Sequence, residues 1–179
     1  MLVLIDMDDV IADFDGEFYK RWKLKYPDKY ITPPNQRSKF YIKEESPPEY
    51  RDFITSIYAE PGFIRSLPPV AGAIDAINEI SKEHTVFICT TPLDKFENCV
   101  LEKYYWVLEN LGFEWTKRLI LTKDKTLIKG DILIDDKPEI TGNCIPQWEH
   151  ILFDKPYNRH INNKKRINWN NYKFIFLNS

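Results

Sequence analysis

Asp6 and Asp8 close a short apolar run near the start of the chain, Leu-Val-Leu-Ile-Asp-Met-Asp-Asp at residues 2 to 9. In an extended strand alternate residues share a face, and at a strand's end two such carboxylates can converge on one ligand. Paired acids placed that way suit a metal ion and a phosphate. An acidic pair is also ordinary where a strand leaves an apolar core, so the pair alone leaves both readings open. Three later segments bear on the choice. Thr90 and Thr91 follow Val86-Phe87-Ile88-Cys89, Lys125 lies in Leu-Thr-Lys-Asp-Lys-Thr, and Asp135-Asp136 follow Ile132-Leu133-Ile134. Acids hold magnesium, while hydroxyl and ammonium groups hold phosphate oxygens. Once a cation neutralises the repulsion between two anions, a carboxylate can attack phosphorus. The set therefore meets the needs of phosphoryl transfer without a serine or cysteine nucleophile.

Residues so far apart in the chain can meet only if the elements carrying them end at one place. Five short runs rich in β-branched residues read as strands: Leu2 to Ile5, Thr85 to Cys89, Leu119 to Leu121, Ile132 to Ile134 and Ile151 to Phe153. They are nearly continuous rather than alternating, as parallel strands buried on both faces are. Helical patterns lie between several of them: Val70, Ala73, Ile74, Ile77 and Ile80 behind Pro68-Pro69, and Phe96, Val100, Leu101, Tyr104 and Leu108 before Leu111-Gly112. This alternation predicts an α/β fold, a Rossmann-like doubly wound parallel sheet. Such sheets bind ligands beyond the carboxyl ends of their strands, where the acids fall.

The stretch from Asp15 to Leu67 breaks the rhythm with Pro27, Pro33-Pro34, Pro47-Pro48 and Pro61-Gly62 and is too long for a plain connection. It reads as a small helical cap, residues 15–67, inserted after strand one into a core of residues 1–14 and 68–179. The tail from Asn158 to Asn171 reads as a solvated surface loop. The last apolar run, Phe174 to Leu177, reads as packing on the core or a sheet edge.

Composition narrows the partners. With 25 basic and 27 acidic residues in 179, no bulk field attracts a nucleic-acid polymer or an anionic membrane. No apolar stretch approaches the roughly 20 residues that span a bilayer, and no basic leader precedes the first strand. Three widely spaced cysteines, Cys89, Cys99 and Cys144, lack zinc spacing and suit a reducing, cytoplasmic setting. His84, His150 and His160 stand singly and read as structural, as do Asp13, Asp124 and Asp131 as structural or solvated.

The motifs together resemble the haloacid dehalogenase (HAD) superfamily of phosphatases, and within it the 5′(3′)-deoxyribonucleotidases. The resemblance is carried by residues 6–14, 87–93, 102–107, 121–126, 133–142 and 148–153, in the family's order and almost end to end. It implies a magnesium-dependent phosphatase that dephosphorylates a small nucleoside monophosphate through an aspartyl-phosphate. Asp6 is then the nucleophile, and Asp8 the acid that protonates the leaving oxygen and then the base that activates water. Mg2+ is held by the Asp6 carboxylate, the Asp8 main-chain carbonyl and Asp136, with Asp135 orienting the shell. Thr90 and Thr91 bind phosphate oxygens and Lys125 balances charge. Phe14, Phe40, Tyr41 and Tyr58 align with base-contacting or cavity-lining positions, as do Ile42 and Phe63. A homodimer is a family habit carried by resemblance alone.

Each role has a duller counterpart. Thr90 and Thr91 could cap a helix near Asp94, Lys123 shares the local setting of Lys125, and the cap aromatics could be its own core. Asp9 stands where the family commonly has glycine. Aspartate tolerates the left-handed backbone a turn there would demand, and it is expected to face away or bond a nearby amide. Tyr41 and Tyr58 replace tryptophans of mammalian members, which leaves base preference open. Two other functions compete: a HAD phosphatase for another small phosphorylated metabolite, and a non-enzymatic phospho-switch.

Overall fold

A computed structural model describes residues 1–93 and 97–176; the expected helix start at Asp94, Phe96 and Leu177 lie outside them. Six parallel strands form one sheet in the order β3-β2-β1-β4-β5-β6: β1 Leu2–Ile5, β2 Thr85–Thr90, β3 Leu119–Leu121, β4 Ile132–Asp135, β5 Glu149–Phe153 and β6 Arg166–Ile167. Val3, Leu4 and Ile5 are fully buried, which explains why β1 reads as a continuous apolar run. In register, Ile5 sits opposite Ile88 of β2 and Ile134 of β4, so β1 ends two residues before β2 and one before β4. The winding changes direction at β1, because β2 and β3 extend to one side and β4 to β6 to the other. In sheets wound this way ligands bind at that reversal, beyond the ends of β1 and β4.

Residues of β1 alternate between two apolar clusters. Val3 and Ile5 belong to the large one, into which α4 (Ala73–Ile80) and α5 (Cys99–Leu111) pack Ala76, Ile77, Trp106 and Val107. Leu4 faces a small cluster with Cys89, Leu133 and Trp148. Right-handed crossovers place connections that run in opposite directions along a sheet on opposite faces. The connection from β3 to β4 therefore covers the small cluster, and it contains a 3-10 turn, Lys125–Leu127, rather than an α-helix.

The chain leaves the sheet after β1 and returns beside its point of departure: the Asp13 amide donates to the Pro68 carbonyl at 2.8 Å and the Val70 amide to the Ile11 carbonyl at 2.9 Å. Between these ties lie α1 (Phe14–Lys25), α2 (Ile42–Glu45) and α3 (Arg51–Tyr58), with Asp13 capping α1 through the Gly16 amide. Trp22, Tyr26, Tyr50 and Phe53 pack ring against ring, with Trp22–Tyr26 centroids 5.1 Å apart and Tyr26–Phe53 5.0 Å. These aromatics of the early stretch are interior packing. α6 (Phe113–Thr116) and α7 (Lys173–Phe176) complete the described helices. Within α7, Ile175 and Phe176 pack on the large cluster while Phe174 stays exposed.

Two expectations are corrected. The tail is not a solvated loop throughout: it supplies β6 and buries Asn158, Ile167 and Trp169, with Tyr157 and Tyr172 buried on either side of it. The Trp169 indole donates to the Val10 carbonyl at 2.7 Å, which ties the tail to the turn after β1. Its asparagines misled because Asn158 uses its polarity inward, donating to the Asp136 and Phe153 carbonyls at 2.8 Å each. The expected apolar face of α5 is also displaced. Val100 and Leu101 are 48% and 53% exposed, whereas Glu102 and Lys103 are buried because the site and the return turn supply their partners.

Candidate active site

The turn after β1 brings the first acids together. Amides of Ile11 and Ala12 both donate to the Met7 carbonyl at 2.9 Å, and Asp9 takes the left-handed conformation, φ 61°. Asp9 is the sole described non-glycine residue with positive φ. Its Oδ1 accepts from the Asp15 amide at 3.0 Å and from Lys155 Nζ at 3.2 Å, so its carboxylate is occupied in joining the start of α1 to the segment after β5.

Asp6, Asp135 and Asp136 are all buried, and each can place a carboxylate oxygen within 4.8 Å of the others. Lys125 Nζ lies between two of these acids, bonding Asp6 and, at 2.6 Å, Asp135. Asp135 is further engaged by the Lys137 amide at 2.9 Å. Lys123 is not the inner lysine: it donates to the Pro92 carbonyl at 2.6 Å from an exposed position. Asp124 sets the inner one in place by capping the 3-10 turn through the Thr126 amide at 2.9 Å and holding the Asn143 amide at 2.7 Å. The Thr126 hydroxyl first, then Asn143, holds the Asp124 carboxyl down at about 2.

Asp8 belongs to a second lysine. Lys103, fully buried on α5, donates to Asp8 Oδ2 at 2.7 Å and to the Thr90 hydroxyl at 2.8 Å. The other oxygen, Asp8 Oδ1, is buried without a hydrogen-bond partner among the described residues. Thr91 is half-buried beside Thr90. Burial raises the Asp6 carboxyl against the pull of Lys125, and raises Asp8 against that of Lys103. Asp136 is pushed well above the usual range by burial and then by Asp135.

The charges do not balance. Asp6, Asp8, Asp9, Asp15, Asp135 and Asp136 form one buried or half-buried constellation with four cations: Lys103, Lys125, Lys155 and Arg37. Were all six ionised, they would outnumber these cations by two, before counting Glu45, which also lies 3.8 Å from Arg37, and an all-oxygen donor set is the kind hard divalent cations take. The residues therefore fit a magnesium-like ion.

The aromatic candidates form two groups. Phe14 lies 6.3 Å from Tyr58 and 5.2 Å from the buried Phe63, centroid to centroid. Phe40 and Tyr41 pair at 4.8 Å, and Phe40 meets Tyr157 edge-on at 5.7 Å. A cleft of about 700 Å³ runs past Phe40, Tyr41, Lys137, His160 and Lys164. The acids do not line it; it adjoins them through Lys137, next in sequence to Asp136. His150 is tied to the site's edge, its Nδ1 accepting from Lys164 at 3.0 Å, and burial ahead of Lys164 lowers it to about 4.

Lys103, Lys155, Arg37 and Tyr157 are residues that sequence reasoning missed. Lys103 carried only a weak signal: it and Glu102 lie off the expected apolar spacing but share a helix face with Cys99, Trp106 and Val107, where a buried charge needs a built partner.

The family profile described as "5' nucleotidase, deoxy (Pyrimidine), cytosolic type C protein" matches residues 1–179. A protein of Bordetella bronchiseptica is 49% identical over 176 residues, covering 98% of this chain and 95% of its own. The human "5'(3')-deoxyribonucleotidase, cytosolic type" is 43% identical over 165 residues, 89% of this chain and 82% of its own. The human mitochondrial 5'(3')-deoxyribonucleotidase is 39% identical, covering 89% and 72%. Among solved structures, the HAD-hydrolase YfnB of Bacillus subtilis, bound to magnesium, superposes with a TM-score of 0.61 at 15% identity, covering 99% of this chain and 98% of its own.

Proposed function

The chain belongs to the cytosolic type C 5′ nucleotidase family, with the fold of the HAD hydrolases, and from that membership we propose how its residues divide the work. It is a phosphoric monoester hydrolase acting on deoxyribonucleoside monophosphates. The observation that carries the division of labour is the contrast between the two acids. Asp6 is bonded to Lys125 inside the acid cluster, while Asp8 has one oxygen held by Lys103 and one without a partner.

Asp6 attacks phosphorus and becomes the aspartyl-phosphate. Asp8, its carboxyl raised by burial, carries a proton to the departing nucleoside oxygen. The same carboxylate then takes a proton from the water that attacks the phosphorylated Asp6. Lys125 and the Thr90 hydroxyl hold phosphate oxygens, with Thr91 at the start of the same loop. Asp6, Asp136 and the Asp8 carbonyl would hold Mg2+, and Asp135, with both oxygens engaged by Lys125 and the Lys137 amide, orients the cluster. When bound, the ion supplies the positive charge that keeps Asp6 ionised and screens it from the phosphate.

The segment 15–67 acts as the cap over the nucleoside. Phe14 and Tyr58 on one side and Phe40 and Tyr41 on the other offer ring faces to a base, worth roughly 1–3 kcal/mol per stacked ring. No described helix is long and apolar enough to cross a membrane. The three cysteines are unpaired, which supports a reducing, cytoplasmic setting. Purified protein with Mg2+ should release phosphate from at least one deoxyribonucleoside monophosphate in a panel of common deoxy- and ribonucleotides. Release from none of the deoxynucleotides would reject the function.

A further inference from the structure

Of the three clustered carboxylates, Asp6 and Asp135 share the Lys125 ammonium, whereas Asp136 has no cation within ion-pair distance among the described residues. Its side chain is met instead by a neutral donor, the Tyr157 hydroxyl, which bonds Asp136 Oδ2. The Tyr157 ring is 2% exposed and fixed from two sides. Arg37 lies 4.9 Å from its centroid, and Phe40 stands edge-on at 5.7 Å. The neighbouring Asn158 holds the Asp136 carbonyl at 2.8 Å, so consecutive residues grip both the backbone and the side chain of one acid.

We propose that Tyr157 is the positioning residue that presents Asp136 to the divalent cation, a role resting on the metal-dependent reading above. A lysine in its place would fix the carboxylate equally well but cancel the charge the ion requires. A hydroxyl fixes the carboxylate and leaves its charge uncompensated. Arg37, paired with Asp15 and donating to the Lys39 carbonyl at 2.8 Å, keeps the ring from swinging away. The same ring touches Phe40, so the cap's aromatic loop and the metal carboxylate bear on one side chain.

The test is Tyr157→Phe, with Mg2+ binding measured by calorimetry on substrate-free protein. Loss of an outer hydrogen bond to a metal ligand should weaken binding about 10- to 100-fold, with KM for the nucleotide at saturating Mg2+ within about twofold of wild type. Ile167→Val, which trims β6 without touching the acids, is the stability comparison. A loss of Mg2+ affinity that it reproduces, or wild-type affinity in Tyr157→Phe, overturns the proposal. In the wild-type protein, Mg2+ should also perturb tyrosine ultraviolet absorbance; no perturbation overturns it without any variant. A protein that binds Mg2+ but hydrolyses no nucleotide rejects the function while leaving this role standing, and Tyr157→Phe with unaltered affinity does the reverse.

Discussion

Asp6 and Asp8 lie two residues apart yet answer to different lysines, and their variants should fail differently. Asp6→Asn removes the proposed nucleophile and one acidic group from an acid-rich cluster. Turnover should fall at least about a thousandfold, while the metal-free melting temperature holds or rises because buried like charges are relieved. Phosphate release and thermal melting check both halves, and undiminished turnover would reject the mechanism. Lys103→Met acts on Asp8. Lys103 pulls the Asp8 carboxyl down against burial, so without it Asp8 keeps its proton to higher pH. The step that needs the base form then fades on the acid side. kcat should drop about 10- to 100-fold and its acid limb should move to higher pH. A limb that stays in place or moves down would remove Asp8 from the proton transfers.

α5 works through two adjacent residues facing different tasks. Successive helix positions diverge by about 100°, so Lys103 reaches the site while Glu102 reaches the turn at 62–65, shortly before the chain rejoins the sheet. Glu102 accepts from the amides of Gly62 at 2.6 Å, Ile64 at 3.0 Å and Arg65 at 3.3 Å. Glu102→Ala strands these amides and should cost about 2–4 kcal/mol, read as a lower urea midpoint at unchanged slope. Glu102→Gln keeps one acceptor oxygen and should lose clearly less. Equal losses would show that the helix packs there without needing the carboxylate.

Across the whole molecule, the surplus of buried acid links stability to pH and to the ion. Burial, ahead of Asp9, pushes Asp15 up to about 8, and burial raises Asp136 well above the usual range. A carboxyl raised in the folded state holds its proton better there than in the unfolded chain. Its contribution is whole below the unfolded value near 4 and is lost as pH climbs through the folded value. His150, lowered to about 4 from 6.5, works in the opposite direction, but only below 6.5. Between about pH 6.5 and about pH 8 the metal-free protein should therefore lose about 1–2 kcal/mol, a fall of roughly 3–6 °C in melting temperature. Mg2+ should reduce that fall by compensating Asp136. A metal-free melting temperature that rises over the interval would contradict the charge balance.

The sequence by itself determined five of the six strands and several strand-end residues: β1 and β3 have their expected bounds, and Asp6, Thr90 and Asp136 fall at or beside strand ends, with Lys125 in the turn after β3. Such strands are legible because burial on both faces leaves only apolar residues along a parallel strand. It also showed that Asp9 could adopt the backbone it does, since that depends on the residue type alone. Only the tertiary structure decided which lysine serves which acid. It likewise decided that Trp22, Tyr26, Tyr50 and Phe53 pack on one another, and that Tyr157 and Asn158, at the entrance to the asparagine-rich tail, close over Asp136. Those facts escape the linear pattern for one physical reason. A buried charge or amide is stable only with its partner, and Lys103–Asp8, Lys155–Asp9 and Asn158–Asp136 join residues 95, 146 and 22 positions apart.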